Sequence, residues 1–175
     1  MIKAGVILLT FMFLFSCKND TKNDNQVIEN SVVETPKELV VKLGFKTSVK
    51  DEFRIMLNNI EIDEFQKKNI LIRETVPVSS GFESIVANFG NNISNNLIIN
   101  LGNKNLKEIE LNGIEVSYGE KRVLVTNENI RKHFNINKFV EFDSIKRVFK
   151  TIKVAGKHQP SFVARRSLIN ILKKG

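Results

Sequence analysis

Three acids close together, Glu61, Asp63 and Glu64, and two histidines, His133 and His158, are the first residues whose types could carry chemistry. Two carboxylates flanking a glycosidic bond can hydrolyse it. Neighbouring strand residues, however, point to opposite faces, and Asp63-Glu64 falls where a turn is expected, so solvated turn charges explain the cluster better. Neither histidine belongs to an H-x-x-x-H or His/Cys spacing that would hold a transition metal. Ser79-Ser80-Gly81 is not a G-x-S-x-G elbow, neither histidine has a readable orienting acid, and Gly-rich phosphate loops are absent. The Asn-rich stretch from Asn88 to Asn96 could turn oxygens toward a structural calcium ion. It contains no Asp or Glu, so a plain turn fits it better. No catalytic residue and no transition-metal ligand is assigned.

Charge points to binding instead. The formal net charge is +8, and it is unevenly placed. Residues 143–175 hold nine basic residues and a single acid, Asp143, whereas residues 18–142 are nearly balanced. A concentrated positive field attracts polyanions. The candidate anion- or glycan-binding set is Lys146, Arg147, Lys150, Lys153, His158, Arg165 and Arg166. The plain alternative is a solvated basic face that keeps the protein soluble. Phe supplies 13 of the aromatic residues, beside one Tyr and no Trp. Phe82 and Tyr118 are candidate stacking platforms for a sugar ring, against the simpler role of rim or core packing.

Met1-Ile2-Lys3 is a short positive head, and Ala4 to Phe15 an apolar run ending in Leu14-Phe15-Ser16-Cys17. A charged start, a short apolar core and a small residue before a cut site mark a secretory signal. The run is shorter than the roughly 20 apolar residues of an ordinary transmembrane helix. The Leu14-Phe15-Ser16-Cys17 tetrapeptide resembles the lipobox of bacterial lipoproteins. The resemblance implies cleavage after Ser16 and a lipidated Cys17, which holds the protein on a membrane of the cell envelope, facing the periplasm or the cell surface. An uncleaved anchor helix and a plain secretory signal are the alternatives. Cys17 is also the sole cysteine, so the folded part has no disulfide to lean on and must be held by packing.

The organisation that follows is a signal over 1–16, a linker over 17–36 and one domain over 37–175 with its basic segment at 143–175. The linker is polar, Asn-rich and aperiodic, and Pro36 marks its end. The body alternates with a period of two: Leu39, Val41, Leu43, Phe45; Phe53, Ile55, Leu57; Ile85, Ala87, Phe89; Leu97, Ile99, Leu101. Asn58-Asn59 offers a turn. Asn112-Gly113, between Ile109-Leu111 and Ile114-Val116, is a strong hairpin signal, and Gly119-Glu120 makes a second turn, predicting a three-stranded meander over 107–125. Thr126 to Glu128 starts a short helix reaching about Phe134. Residues 138–142 read as a strand, 145–153 fit helix and strand equally, 160–164 are extended, and 167–174 form a helix with Leu168, Ile171 and Leu172 on one face.

Many short strands with helices only in the last third predict an all-β fold, an antiparallel β-sandwich. A barrel competes. Leu43-Gly44-Phe45-Lys46-Thr47-Ser48, Asp51 to Ile55, Ile98 to Gly102 and Ile109 to Val116 together resemble the jelly-roll sandwich of carbohydrate-binding and galactose-binding-like modules. The resemblance implies sugar-stacking aromatics and often a structural calcium ion. The expected function is a lipid-anchored, non-enzymatic binding or assembly module for an acidic or phosphate-bearing glycan. An accessory subunit docking an envelope protein through a sheet edge and a glycan hydrolase are the alternatives. The extracytoplasmic address and the lack of any nucleic-acid motif argue against a nucleic-acid partner.

Overall fold

Alternation of apolar and polar side chains sends one set of each strand's residues inward, and a sheet with one greasy face must bury it against another. The computed structural model describes residues 36–174. The signal, Cys17 and the linker up to 35 lie outside the described residues. The strands are β1 (Leu39–Thr47), β2 (Asp51–Glu61), β3 (Lys67–Val76), β4 (Glu83–Asn88), β5 (Asn96–Asn100), β6 (Glu108–Tyr118) and β7 (Lys121–Val125). After helix α1 (Ile130–His133) come β8 (Phe134–Ile136), β9 (Val140–Asp143), β10 (Val148–Thr151), β11 (Ser161–Ala164) and helix α2 (Arg166–Lys173). One sheet runs β4-β1-β6-β10-β9, with β7 also paired to β6; the other runs β3-β2-β5-β11-β8. Every named pairing is antiparallel. The fold is an all-β antiparallel sandwich with two short helices late in the chain.

The core between the sheets is made by Phe and branched aliphatics. Phe45 of β1 meets Phe53 of β2 with ring centroids 4.9 Å apart, and Phe149 of β10 meets Phe162 of β11 edge-on at 5.2 Å. Each contact joins one sheet to the other. Helix α2 closes the sandwich with Leu168, Ile169 and Leu172, all buried. Ile171, expected on the buried face, is 44% exposed instead. Both trios have helical spacing; the docked angle of α2 selects the one containing Ile169.

Two expected turns are bulges. In β2 the register slips between Leu57 and Ile60, and Asn59 adopts φ +55 while its N–H donates to Asn69 Oδ1 at 2.8 Å. In β6, Gly113 faces Gly44 but Leu111 already faces Phe45, so Asn112 is the extra residue. The Asn112-Gly113 hairpin is therefore absent, and residues 108–118 form one continuous strand rather than two. The reason lies in β1, long enough to pair with both halves. The inserted residue also changes the phase, which keeps Ile109, Leu111, Ile114 and Val116 on the buried face. The Gly119-Glu120 turn does form, joining β6 to β7. The ambiguous 145–153 stretch resolves as a turn followed by β10. The helix expected from Thr126 shrinks to the four residues of α1.

The end of the sandwich where β2 begins holds a buried ion pair. Lys107 Nζ lies 2.6 Å from Asp51 Oδ2, and both side chains are fully buried. The ammonium also donates to the carbonyls of Leu101 at 3.0 Å and Gly102 at 3.5 Å. The carboxylate accepts the backbone N–H of Glu52 at 2.7 Å and of Asn105 at 3.2 Å. Gly102 makes the approach possible. It sits at φ +80, and a Cβ there would lie 2.5 Å from Asp51 Cγ. Left-handed backbone alone costs an L-residue roughly 1–2 kcal/mol, and the walled-in carboxylate has nowhere to retreat. Gly102→Ala is expected to lower the unfolding free energy by at least about 2 kcal/mol in urea titration.

Candidate functional site

The polar residues that converge on one concavity come from five places in the chain. The bulged end of β2 brings Asn59 and Glu61, and the start of β3 brings Lys67. The β4–β5 loop brings Asn91, Asn92 and Asn95, the start of β5 brings Asn96, and α2 brings Arg166 and Lys173 from its two ends. They line a cleft of about 720 Å³. Arg166 and Lys173 are seven residues apart, two helical turns, so they rise about 10 Å along one face of α2. The Asn-rich loop is braced from behind. Ser94 is buried and its hydroxyl donates to Asn58 O at 2.6 Å, while Asn92 Nδ2 donates to Phe89 O. The bulge at Asn59 and the loop's turns thus bring several asparagines to the cleft lining.

Three cations and one carboxylate, Glu61, share the cleft. Among the described residues, none of Lys67, Arg166 and Lys173 forms an ion pair. The lining can donate hydrogen bonds to hydroxyls through amides and to phosphate or carboxylate oxygens through the cations, Arg166 bidentately. The wall is mostly polar.

The basic residues expected to act together are divided by the fold. Lys146 lies 3.4 Å from Glu108, and Lys150 lies 2.8 Å from Asp143 and 3.7 Å from Glu108. Arg147 pairs with Glu128. The backbone N–H of Lys146 and the ammonium of Lys150 hold the Asp143 carboxyl down to about 2, while Asp143 in turn raises Lys150. These three cations are thus matched by acids, two of which come from outside the basic segment. Lys153 and Arg165 are exposed and lie outside the cleft lining. His158 is buried, with Nδ1 3.0 Å from Asn103 O, at the opposite end of β11 from Arg166. Of the sequence-derived set, only Arg166 reaches the cleft.

The two candidate stacking rings do not share a platform. Tyr118 is opposite Leu39 at one end of β1, whereas Phe82 precedes Glu83, opposite Phe45. Six residues of strand separate those registers, about 20 Å. Tyr118 packs against the core, and Phe82 is 50% exposed. Of the acids, Asp63 Oδ1 accepts the N–H groups of Phe65 and Gln66, both at 2.8 Å, so it shapes the β2–β3 turn. His133 is buried at the end of α1; burial, then the charge of Lys132, pushes it below its ordinary value. The Asn88–Asn96 stretch spends Asn88 Oδ1 on the N–H of Gly90 and Asn92 Nδ2 on Phe89 O, as turns do. Among the described residues, no group of three or more His, Cys, Asp or Glu is placed to hold a metal ion.

Lys67 and Lys173 were not singled out in the sequence. The only signal for them there is weak: Lys173 lies in the stretch read as a helix over 167–174, with Arg166 just before it. No protein-family model, curated protein or solved structure matches the chain.

Proposed function

We propose that this protein is a lipid-anchored module of the cell envelope that binds an acidic or phosphate-bearing glycan without transforming it. The single observation that supports the reading is the cleft, where five asparagines line the same concavity as Arg166, Lys173 and Lys67. Amides suit neutral hydroxyls, and the cations suit one or two anionic substituents. Lipidation at Cys17 rests on the sequence at residues 14–17. The ligand site is drawn here more tightly than the basic segment as a whole, because Lys146, Arg147 and Lys150 already face acids.

Full-length protein in detergent, read on an array of neutral, uronate-bearing and phosphorylated oligosaccharides, tests it. Retention is expected on the anionic sugars alone. It weakens as salt rises, because exposed charges are screened beyond about 10 Å at 0.1 M. Arg166→Glu is expected to lower the affinity at least about tenfold, equivalent to roughly 1.4 kcal/mol. Equal retention by wild type and variant, or retention indifferent to salt, contradicts the proposal.

The accessory-subunit reading has one place to stand. β3 is a ten-residue edge strand with Leu71 exposed. A partner strand could add there, although Lys67, Lys68, Arg73 and Glu74 are the charges that guard edges against such pairing. Co-purification of one stoichiometric envelope protein, with no sugar retained, would favour that reading.

A further inference from the structure

Phe65 is 92% exposed and Ile62 is 55% exposed, both in the turn between β2 and β3. A bare phenyl ring at a hairpin tip is an unfavourable way to meet water, and this one is not loose. Asp63 Oδ1 takes the N–H groups of Phe65 and Gln66, and Ile62 N–H donates to Gln66 O at 2.9 Å, so the turn is held in shape with its apolar side chains outward. The hairpin springs from Glu61 and Lys67, both of which line the cationic cleft. The chain also arrives at this end of the sandwich. Leu39 N–H donates to Gly90 O at 2.8 Å, and Asn88 Nδ2 donates to Glu38 at 2.9 Å, next to the loop that forms the cleft wall.

Three features therefore share one end: the point where the segment from Cys17 joins the domain, a fixed apolar tip, and the cations Lys67, Arg166 and Lys173. Apolar side chains beside basic ones are the combination that seats a protein at the headgroup–acyl boundary of an anionic bilayer. We infer that this end is a membrane-docking face. Phe65 and Ile62 enter the interface, and the exposed cations that line the cleft meet lipid phosphates. Lipid phosphate and the glycan's anionic groups then compete for the same three cations. The inference uses the proposed tether only to say which end faces the bilayer; the tip's insertion is a separate property.

The chain has no Trp, so one introduced indole reports its own surroundings. Phe65→Trp and Phe82→Trp place it at opposite ends of the sandwich, each at an exposed position. Full-length protein is added to vesicles of phosphatidylglycerol and phosphatidylethanolamine, with and without bromine-labelled acyl chains. The indole at 65 is expected to shift to the blue and be quenched by the bromines, and the one at 82 to do neither. Adding Arg166→Glu and Lys173→Glu to the Phe65→Trp chain is expected to abolish the blue shift. Emission at 65 unchanged from water overturns the inference. So does equal quenching at 65 and 82, or a blue shift that survives both charge reversals. The readout is local, so vesicle attachment through the apolar N-terminal stretch does not mimic it. Sugar retention on the array, measured separately, survives if only the docking face is wrong.

Discussion

Replacing Lys107 by Met is expected to remove about 3–5 kcal/mol from the unfolding free energy, the usual result of breaking a fully buried ion pair from one side. Asp51 then keeps its charge with only the N–H groups of Glu52 and Asn105 for company. The carbonyls of Leu101 and Gly102 lose the ammonium as a donor. Burial pushes the Lys107 amine below its ordinary 10.5, with Asp51 opposing that push. Burial would raise Asp51, but the hydrogen bond from Lys107 and the two backbone N–H groups outweigh it and leave the carboxyl below 3.8. The signs follow. Asp51 contributes stability present above about pH 3.8 and lost as pH falls through its lower folded value. Lys107 binds its proton less well folded than unfolded, so the cost of its burial is relieved as pH climbs toward 10.5. Removing Lys107 raises Asp51 in the fold. The acid-unfolding midpoint of Lys107→Met therefore moves to higher pH, and the rise in stability on the alkaline side disappears. Circular dichroism at a series of urea concentrations and pH values measures both. A variant within about 1 kcal/mol of wild type, with an unmoved acid midpoint, would show that the pair is not buried as described.

Phe162→Ala is expected to cost a further large amount, about 3–5 kcal/mol. The ring is fully buried on β11, edge-on to Phe149 across the sandwich and 6.5 Å from Phe134 in its own sheet. Its removal opens a void where three strands from two sheets meet, and no disulfide among the described residues can hold them together. Phe82→Ala is the internal comparison. That ring is half exposed, and the change should stay within about 0.5 kcal/mol. Urea titration of the pair reads the difference. Equal losses from both would mean that the core is not where the alternation puts it.

The sandwich was legible because alternation is a local signal: Leu39, Val41, Leu43 and Phe45 are all buried, as their period of two requires. The changes of phase from Leu57 to Ile60 and from Leu111 to Ile114 were visible too. Whether such a change is a turn or a bulge depends on the partner strand. β1 and β3 run past these points unbroken, so both became bulges. The depth of Lys107 was invisible, since nothing near it in sequence announces Asp51, 56 positions earlier. The acidic partners of the basic segment were invisible for the same reason. A local charge count cannot include Glu108 and Glu128, which fold back onto it. The cleft draws on residues 59–67, 91–96 and 166–173, a convergence only the topology creates.

Chemical-shift mapping of isotope-labelled protein, titrated with whichever anionic oligosaccharide the array retains, locates the ligand most directly. Shifts centred on the amides of Asn91 to Asn96, on Lys67 and on the ends of α2 at Arg166 and Lys173 are predicted. Shifts centred on Lys146 to Lys153, or around Phe82, with the asparagine loop silent, would contradict the placement of the binding site.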